Sequence, residues 1–565
     1  MNVRKWLLLL ISLVFVLSSC GPATQTEPAA PEEGAPPTTA EEPAEPVTLR
    51  VGWAGSPDSL NPGVATLMEA YTIFELVYQT LYNLELDGSY TLELAESANV
   101  SEDGLVWTFK IRQDAKWHDG QPVTAQDVAF TYNYYTVHED FPYMPAYTTY
   151  FESVEATDDA TLVIKLTEAI PNMESQTVFM YILPEHIWKD HDADAFEFEN
   201  LEMIGSGPFK MQEYKQSEYV HLVANQDYDG TQPKIDAVIF QTFENQDALV
   251  QAIKTGQVDM ITEMPNTALA SLQDAENVQV VTGAPLSADV ADIIINQTAP
   301  ENCPTEEEGG ICSGHPALRD VTVRQALAHA TDKQKLIDVV LLGLGDPGLT
   351  LIPRQLGTFF NSELDDFAYD TALANQMLEE AGYLDSNGDS VREDPEGKAL
   401  TFRLNYPSDS TTAPREAELL SEMWKEIGIT VEIQPLDGDT LTAICCPAFD
   451  YDIMLWGWGC DPDPGFQLSI YLGSEIPSGL NETGYFNATY DELYAQQATE
   501  LDPEKRREII WEMQRMTLED VVYIIPWYGQ AAQAFRTDRF QGWITDQPKV
   551  ALEDTSSLLV VEPVP

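Results

Sequence analysis

Four groupings in this 565-residue chain could do chemistry, and each can be tested against the spacing that its chemistry needs. His118-Asp119 offers an acid and a base, but adjacent side chains seldom converge on one substrate and no nucleophile stands nearby, so the pair reads as structural. His186 and His191 are five apart, off a shared helix face, and HExxH is absent, as is the GxSxG of serine hydrolases. Gly343, Gly345 and Gly348 spell GxGxxG, yet the run follows a helical stretch and leads into LTLIPRQLG, so it reads as a loop and not as a dinucleotide turn. Asp385, Asn387 and Asp389 alternate like oxygen ligands, with Glu393 and Glu396 beyond, but Ser390 holds the position where a calcium loop wants glycine. The expected reading there is a polar turn, with a structural calcium site as the alternative. No catalytic residue, resident metal or cofactor is expected.

Cysteine is the remaining reactive type. Residues 4 to 20 hold a basic start, an apolar run from Trp6 to Val16, and Leu17-Ser18-Ser19 before Cys20. The run is too short for a permanent membrane helix, and small residues before a cysteine fit an export signal cut at position 19 that leaves Cys20 to carry lipid. Residues 21 to 46 follow with six Glu, seven Pro and no Lys or Arg. Such a composition cannot bury enough apolar surface to fold, so residues 20 to 46 are expected to be an extended tether. Beyond it, Cys303 and Cys312 flank a polar Gly-rich loop and are expected to form a disulfide in an oxidising compartment. Cys445, Cys446 and Cys460 could hold a vicinal bridge or a bridge to Cys460, and spacing alone does not choose.

The formal net charge is −64, from 93 acidic and 29 basic residues, which argues against nucleic acid or an anionic lipid surface as partner. About 520 residues beyond the tether exceed one core, so two or three lobes are expected. Strand and helix signals alternate. Leu49, Val51 and Trp53 mark a half-buried opening strand, and Leu105 to Ile111 and Leu162 to Leu166 repeat that period. Val323, Ala326, Leu327 and Ala330 follow a helical period, as do Ala374, Met377, Leu378 and Ala381. Leu420, Met423, Trp424 and Ile427 form a stripe that Gly428 ends before Ile429, Val431 and Ile433 alternate, which predicts helix, glycine stop, strand.

Residues 106–132, VWTFKIRQDAKWHDGQPVTAQDVAFTY, closely resemble the signature segment of family 5 extracellular solute-binding proteins, the oligopeptide and dipeptide receptors of ABC importers. SPDSLNP at 56, GSGPF at 205, TGQVDMI at 255, RDVTVRQALAHATDKQKLI at 319, EIGITVEI at 426 and WGWGCDPDP at 456 extend the likeness in order. The resemblance implies an α/β periplasmic-binding-protein fold of cluster C, two lobes joined by a hinge, with an inserted subdomain near residues 86–200. On that expectation lobe I spans 47–295, lobe II 296–524, and 525–565 return to lobe I; Ile293 to Asn296 and Val522 to Trp527 are the expected crossings. Function would be capture of a peptide, or of a nickel complex, oligosaccharide or opine, for an importer's permease by a monomer tethered through lipid. A secreted hydrolase is the alternative from another class. The resemblance further implies that a carboxylate in the WGWGCDPDP stretch meets the ligand's α-ammonium, at Asp461 or, because the turn is one residue short, at Asp463. Trp456 and Trp458 adjoin that turn and are the expected aromatic residues of the cleft.

Overall fold

The computed structural model describes residues 46–565 except 288 and 478, so the expected export signal, Cys20 and nearly all of the expected tether lie outside the described residues. The opening strand Thr48–Trp53 forms as its alternation predicts, with Leu49, Val51 and Trp53 buried. It lies near the middle of an eight-stranded sheet, parallel to Ala237–Thr242 on one side and to Met260–Ile261 on the other. Ala531–Arg536, close to the chain's end, pairs antiparallel with Met260–Ile261 and Val278–Pro285, so the C-terminal segment completes a sheet that the N-terminal one begins. A second sheet of seven strands is built from Asp289–Ile295, Gly345–Pro347, Thr401–Pro407, Thr430–Leu436, Ile453–Gly459, Tyr523–Ile524 and Trp527–Gly529. Each large sheet anchors one lobe.

The expected crossings differ from the observed sheet membership by a few residues. Ile293 pairs with Ile524 and Ile294 with Tyr523 inside the second sheet, so both apolar runs are strands of that sheet. The chain changes sheet between Pro285 and Asp289, and again at Gln530 between Trp527–Gly529 and Ala531–Arg536. Continuous apolarity here reflects a strand buried on both faces. Ile293, Ile295, Ile453 and Leu455 join one apolar cluster, whereas Val290, Ile294 and Met454 join another on the opposite face.

Residues 95–166 form a separate four-stranded antiparallel sheet, in the order Ala95–Val100, Val106–Ile111, Thr161–Leu166, Phe151–Asp158. It shares one continuous apolar core with the first sheet, through residues such as Phe109, Ile164, Phe209 and Phe240. Helix Ala125–Val137 starts as Thr124 and Asp127 predict: the Thr124 backbone N–H and its hydroxyl both donate to Asp127 Oδ2 at 2.9 Å. Helix Ala413–Lys425, the stop at Gly428 and strand Thr430–Leu436 appear in the predicted order. Gly428 has φ +77°, a left-handed conformation that suits glycine.

The GxGxxG run is no phosphate loop. Its centre forms strand Gly345–Pro347, antiparallel to Trp527–Gly529. Cys303 and Cys312 stand at bonding distance with Cα atoms 6.1 Å apart, and Cys445 and Cys446 form the vicinal contact, which leaves Cys460 free.

The second lobe buries carboxyl groups as well as apolar ones. Asp292 has both carboxylate oxygens without a partner, and Glu416, on helix Ala413–Lys425, is 4% exposed with Oε1 unpartnered. Burial pushes Glu416 up to about 8, because the charged form loses hydration that nothing replaces. A folded state that keeps this proton is favoured fully below the ordinary glutamate range near 4.5 and loses that advantage as the pH climbs toward 8. Glu416→Gln, which needs no proton, is therefore expected to match the wild type near pH 4 and to exceed it at pH 8 by a few kcal/mol, since each tenfold change in proton affinity is worth about 1.4 kcal/mol. Urea unfolding at both pH values tests this; an equal or larger loss of stability in the variant at pH 8 would count against it.

Candidate functional site

A cavity of about 970 Å³ opens between the two lobes. From the first lobe, helix Met68–Val77 brings Tyr71 and Glu75, and the segments around Tyr90, Tyr147 and Glu174 form the facing wall. From the second lobe come the turn at 460–463, residues 355–359, and Arg506 near the start of helix Pro503–Glu519. The signature segment does not line this space. His118 instead fastens the chain behind it: the Gly205 N–H donates to His118 Nδ1 at 3.2 Å, and His118 Nε2 lies 3.1 Å from the Gly207 carbonyl. Burial lowers this imidazole to about 4, so it works as a neutral brace. A Cβ at Gly205 would sit 1.9 Å from the Val77 carbonyl oxygen, so only glycine lets that strand entry pass the end of the Tyr71 helix. Two of the sequence's motifs thus lock together to position a third element, the helix that carries Tyr71 and Glu75.

The turn after strand Ile453–Gly459 delivers two aspartates with different fates. Asp463 is buried and bidentately paired: Arg506 Nη1 donates to Oδ2 at 2.6 Å and Nη2 to Oδ1 at 2.8 Å, while the Gly465 N–H donates to Oδ1 at 2.9 Å. Asp461 has no hydrogen bond or ion pair among the described residues and opens onto the cavity. Though reached by cavity water, it is surrounded by protein, and that desolvation, followed by the charge of Asp463, raises its pKa. The turn therefore presents one uncompensated carboxylate to whatever enters.

Trp456 and Trp458 stand outside the cavity wall, contrary to expectation. They lie on strand Ile453–Gly459 and pack against the second lobe's core; the Trp458 indole N–H donates to Glu482 Oε2 at 3.0 Å and its ring meets Phe466. Adjacency in sequence did not carry over to the wall: both rings pack on the same apolar cluster as Cys460, Leu356 and Phe359, which line the cavity where the tryptophans do not. The aromatic lining comes instead from Tyr71, Tyr90, Tyr147, Phe179, Tyr181 and Phe359, residues that composition alone could not single out among 24 Tyr and 21 Phe. Cys460 also lines the cavity, but burial and the nearby charges of Asp289 and Asp461 push its thiol up to about 12, which keeps it unreactive.

The Asp385 loop lies elsewhere. Asp385, Asp389 and Glu393 do bring ligand oxygens within 4.8 Å of one another. Their oxygens are already occupied: Asp385 accepts from the Gly388 and Ser390 N–H groups, and Asn387 turns its amide nitrogen, a donor, toward Asp389 and Glu393 at 3.1 and 2.7 Å. That pattern is what a polar turn needs, with the Asp385 oxygens taken up by backbone N–H groups of the turn itself.

Residues 89–478 match the family described as bacterial extracellular solute-binding proteins, family 5 (middle region). The chain is 30% identical over 507 residues to the oligopeptide-binding protein AppA of Bacillus subtilis strain 168, covering 87% of this chain and 88% of that one. Among solved structures, the ABC transporter substrate-binding protein CtaP from Listeria monocytogenes superposes with TM-score 0.76 at 27% identity, covering 91% of this chain and 99% of the other. AppA from Bacillus subtilis, solved in complex with a nonapeptide, superposes with TM-score 0.66 at 27% identity over 92% of this chain and all of that one. No helix among the described residues is long and apolar enough to cross a membrane.

Proposed function

Because this chain belongs to family 5 of the bacterial extracellular solute-binding proteins, we propose that it captures peptides outside the cytoplasm and hands them to the permease of an ABC importer. The observation that carries this reading is the unpaired Asp461 carboxylate in a cavity walled by both lobes, large enough at about 970 Å³ for a short peptide. A ligand that touches both walls favours the closed arrangement, since closure requires contacts made only there. The passage from Pro285 to Asp289 and the one at Gln530, where the chain moves between sheets, are the places about which the lobes would move. The reading is capture, not catalysis: in the His118-Asp119 pair, His118 braces a backbone turn and Asp119 meets His186 at 2.8 Å, away from the cavity. The working form is a monomer with a Cys303–Cys312 disulfide, held to the membrane by lipid on Cys20 through the tether.

Native mass spectrometry of freshly purified protein is expected to show the chain with added masses that fragment as peptides, and calorimetry to show one-to-one binding of peptide that is recovered intact. Added masses from sugars or metal chelates, with no heat from any peptide, would overturn the peptide reading. Cys20→Ala is expected to abolish lipid labelling and to move the protein from the membrane fraction to the supernatant. Normal incorporation of labelled lipid into that variant would sink the anchor.

A further inference from the structure

The cavity is lined by eight carboxyl side chains against two basic ones, and this excess is not spread evenly. Around the turn at 460–463, Arg506 neutralises Asp463 and leaves Asp461. On the first lobe, Glu75, Glu93 and Asp554 share the wall with Glu85 and Asp87, and Lys549 is the basic residue among them. These groups sense one another: Asp554, Glu553 and Glu93 all raise Glu75, and Lys549 interacts with Asp554 and Asp87.

Their hydrogen bonds show which group is free. Glu93 Oε2 accepts from the Thr80 N–H at 2.7 Å and from the Thr80 hydroxyl at 3.2 Å. Asp554 Oδ1 accepts from the Ser556 N–H at 2.8 Å and the Ser556 hydroxyl at 2.5 Å. The Glu75 carboxylate accepts none among the described residues. Beside it stands Tyr181, 1% exposed and part of the cavity wall, whose hydroxyl has no partner. A buried phenol and a half-buried carboxylate, neither with a hydrogen-bond partner among the described residues and both belonging to residues of the wall, leave polar capacity unsatisfied.

We propose that this part of the cavity is a subsite for an organic cation, the ammonium or guanidinium side chain of a captured peptide, held by Glu75 with Glu93 and Asp554 and flanked by the rings of Tyr181 and Tyr228. The proposal rests on the peptide reading and narrows it to peptides that carry a basic residue. A bare metal ion fits the arrangement poorly. Among the described residues the trio with ligand atoms within 4.8 Å of one another is Asp385, Asp389 and Glu393, so Glu75, Glu93 and Asp554 do not converge as chelating ligands would. Carboxyl groups that do not converge, on a wall shared with Tyr181 and Tyr228, suit a larger and more weakly hydrated cation. Burial first, then repulsion from Asp554, Glu553 and Glu93, holds Glu75 up at about 8, and burial holds Glu93 at about 7 against the hydrogen bonds from Thr80, a cost that an incoming positive charge relieves.

Calorimetry with penta-alanine peptides that carry one lysine, or one norleucine, at each position in turn tests this. In the wild type, lysine at one or more positions is expected to tighten binding at least about tenfold over norleucine, as a charge-assisted contact should. In Glu75→Gln and in Glu75→Gln/Asp554→Asn, that ratio is expected to fall toward one, with thermal melts confirming that both variants fold. A ratio near one at every position in the wild type, or a ratio kept in both variants, overturns the subsite while leaving peptide capture standing. Failure of every peptide to bind overturns capture and the subsite together. Binding of 1,5-diaminopentane without any lysine preference among the peptides would overturn the side-chain assignment.

Discussion

Asp461→Asn is expected to weaken binding of a peptide with a free N-terminus by a hundredfold or more, and to change the affinity for the same peptide N-acetylated by far less. The carboxylate faces the cavity without a partner, and desolvation has already raised its pKa, so an ammonium that reaches it gains a contact that water cannot match. Removing one member of such a desolvated pair leaves the other stranded, at a cost of about 3 to 5 kcal/mol. That corresponds to a loss of roughly two to four powers of ten in affinity. Calorimetry on the four combinations of protein and peptide decides the matter. Equal affinity of the wild type for free and acetylated peptides would remove the ammonium anchor, and with it the main support for peptide as the ligand.

Arg506→Ala is expected to destabilise the fold by about 3 to 5 kcal/mol, because it leaves Asp463 charged, buried and unpaired. Arg506 does more than neutralise one carboxylate. Its Nε donates to the Gln497 carbonyl at 3.3 Å, Nη2 donates to Gln497 Oε1 at 3.1 Å, and the guanidinium lies over the Phe359 ring at 5.3 Å. Lysine cannot reproduce that planar fork, so Arg506→Lys should recover little of the loss. Replacing both partners, as in Asp463→Leu/Arg506→Met, should cost less than Arg506→Ala alone, since no charge is then stranded. Urea unfolding of the three variants provides the comparison; a loss below about 1 kcal/mol for Arg506→Ala would mean that water reaches Asp463. The pair has a consequence for the site too: by engaging Asp463, Arg506 leaves Asp461 as the carboxylate of the turn that a ligand can claim.

What the sequence determined by itself is what neighbours a few residues apart decide. The alternation at Leu49, Val51 and Trp53, the stripe from Leu420 to Ile427 with its Gly428 stop, and the Thr124–Asp127 cap each formed as read. In these cases the period of apolar residues or a cap three residues away is the cause of the element. The composite of motifs carried the family for the same reason. Glu75 carried a signal that could have been used: a lone carboxyl in IFELV, amid residues that must be buried, is costly unless the position has a use.

Only the tertiary structure shows which of Asp461 and Asp463 is already paired, since the partner, Arg506, lies 43 residues beyond Asp463 and no local pattern ties it to one of them. It also packed Trp456 and Trp458, each half-buried, against the core of the second lobe, and made Ile293-Ile294 and Tyr523-Ile524 partners within one sheet where the sequence suggested exits from a lobe. In each case the residue types were compatible with two environments of equal local plausibility. The choice was made by which distant surface packed against them, because burial, pairing and cavity exposure are properties of contacts between segments far apart in the chain.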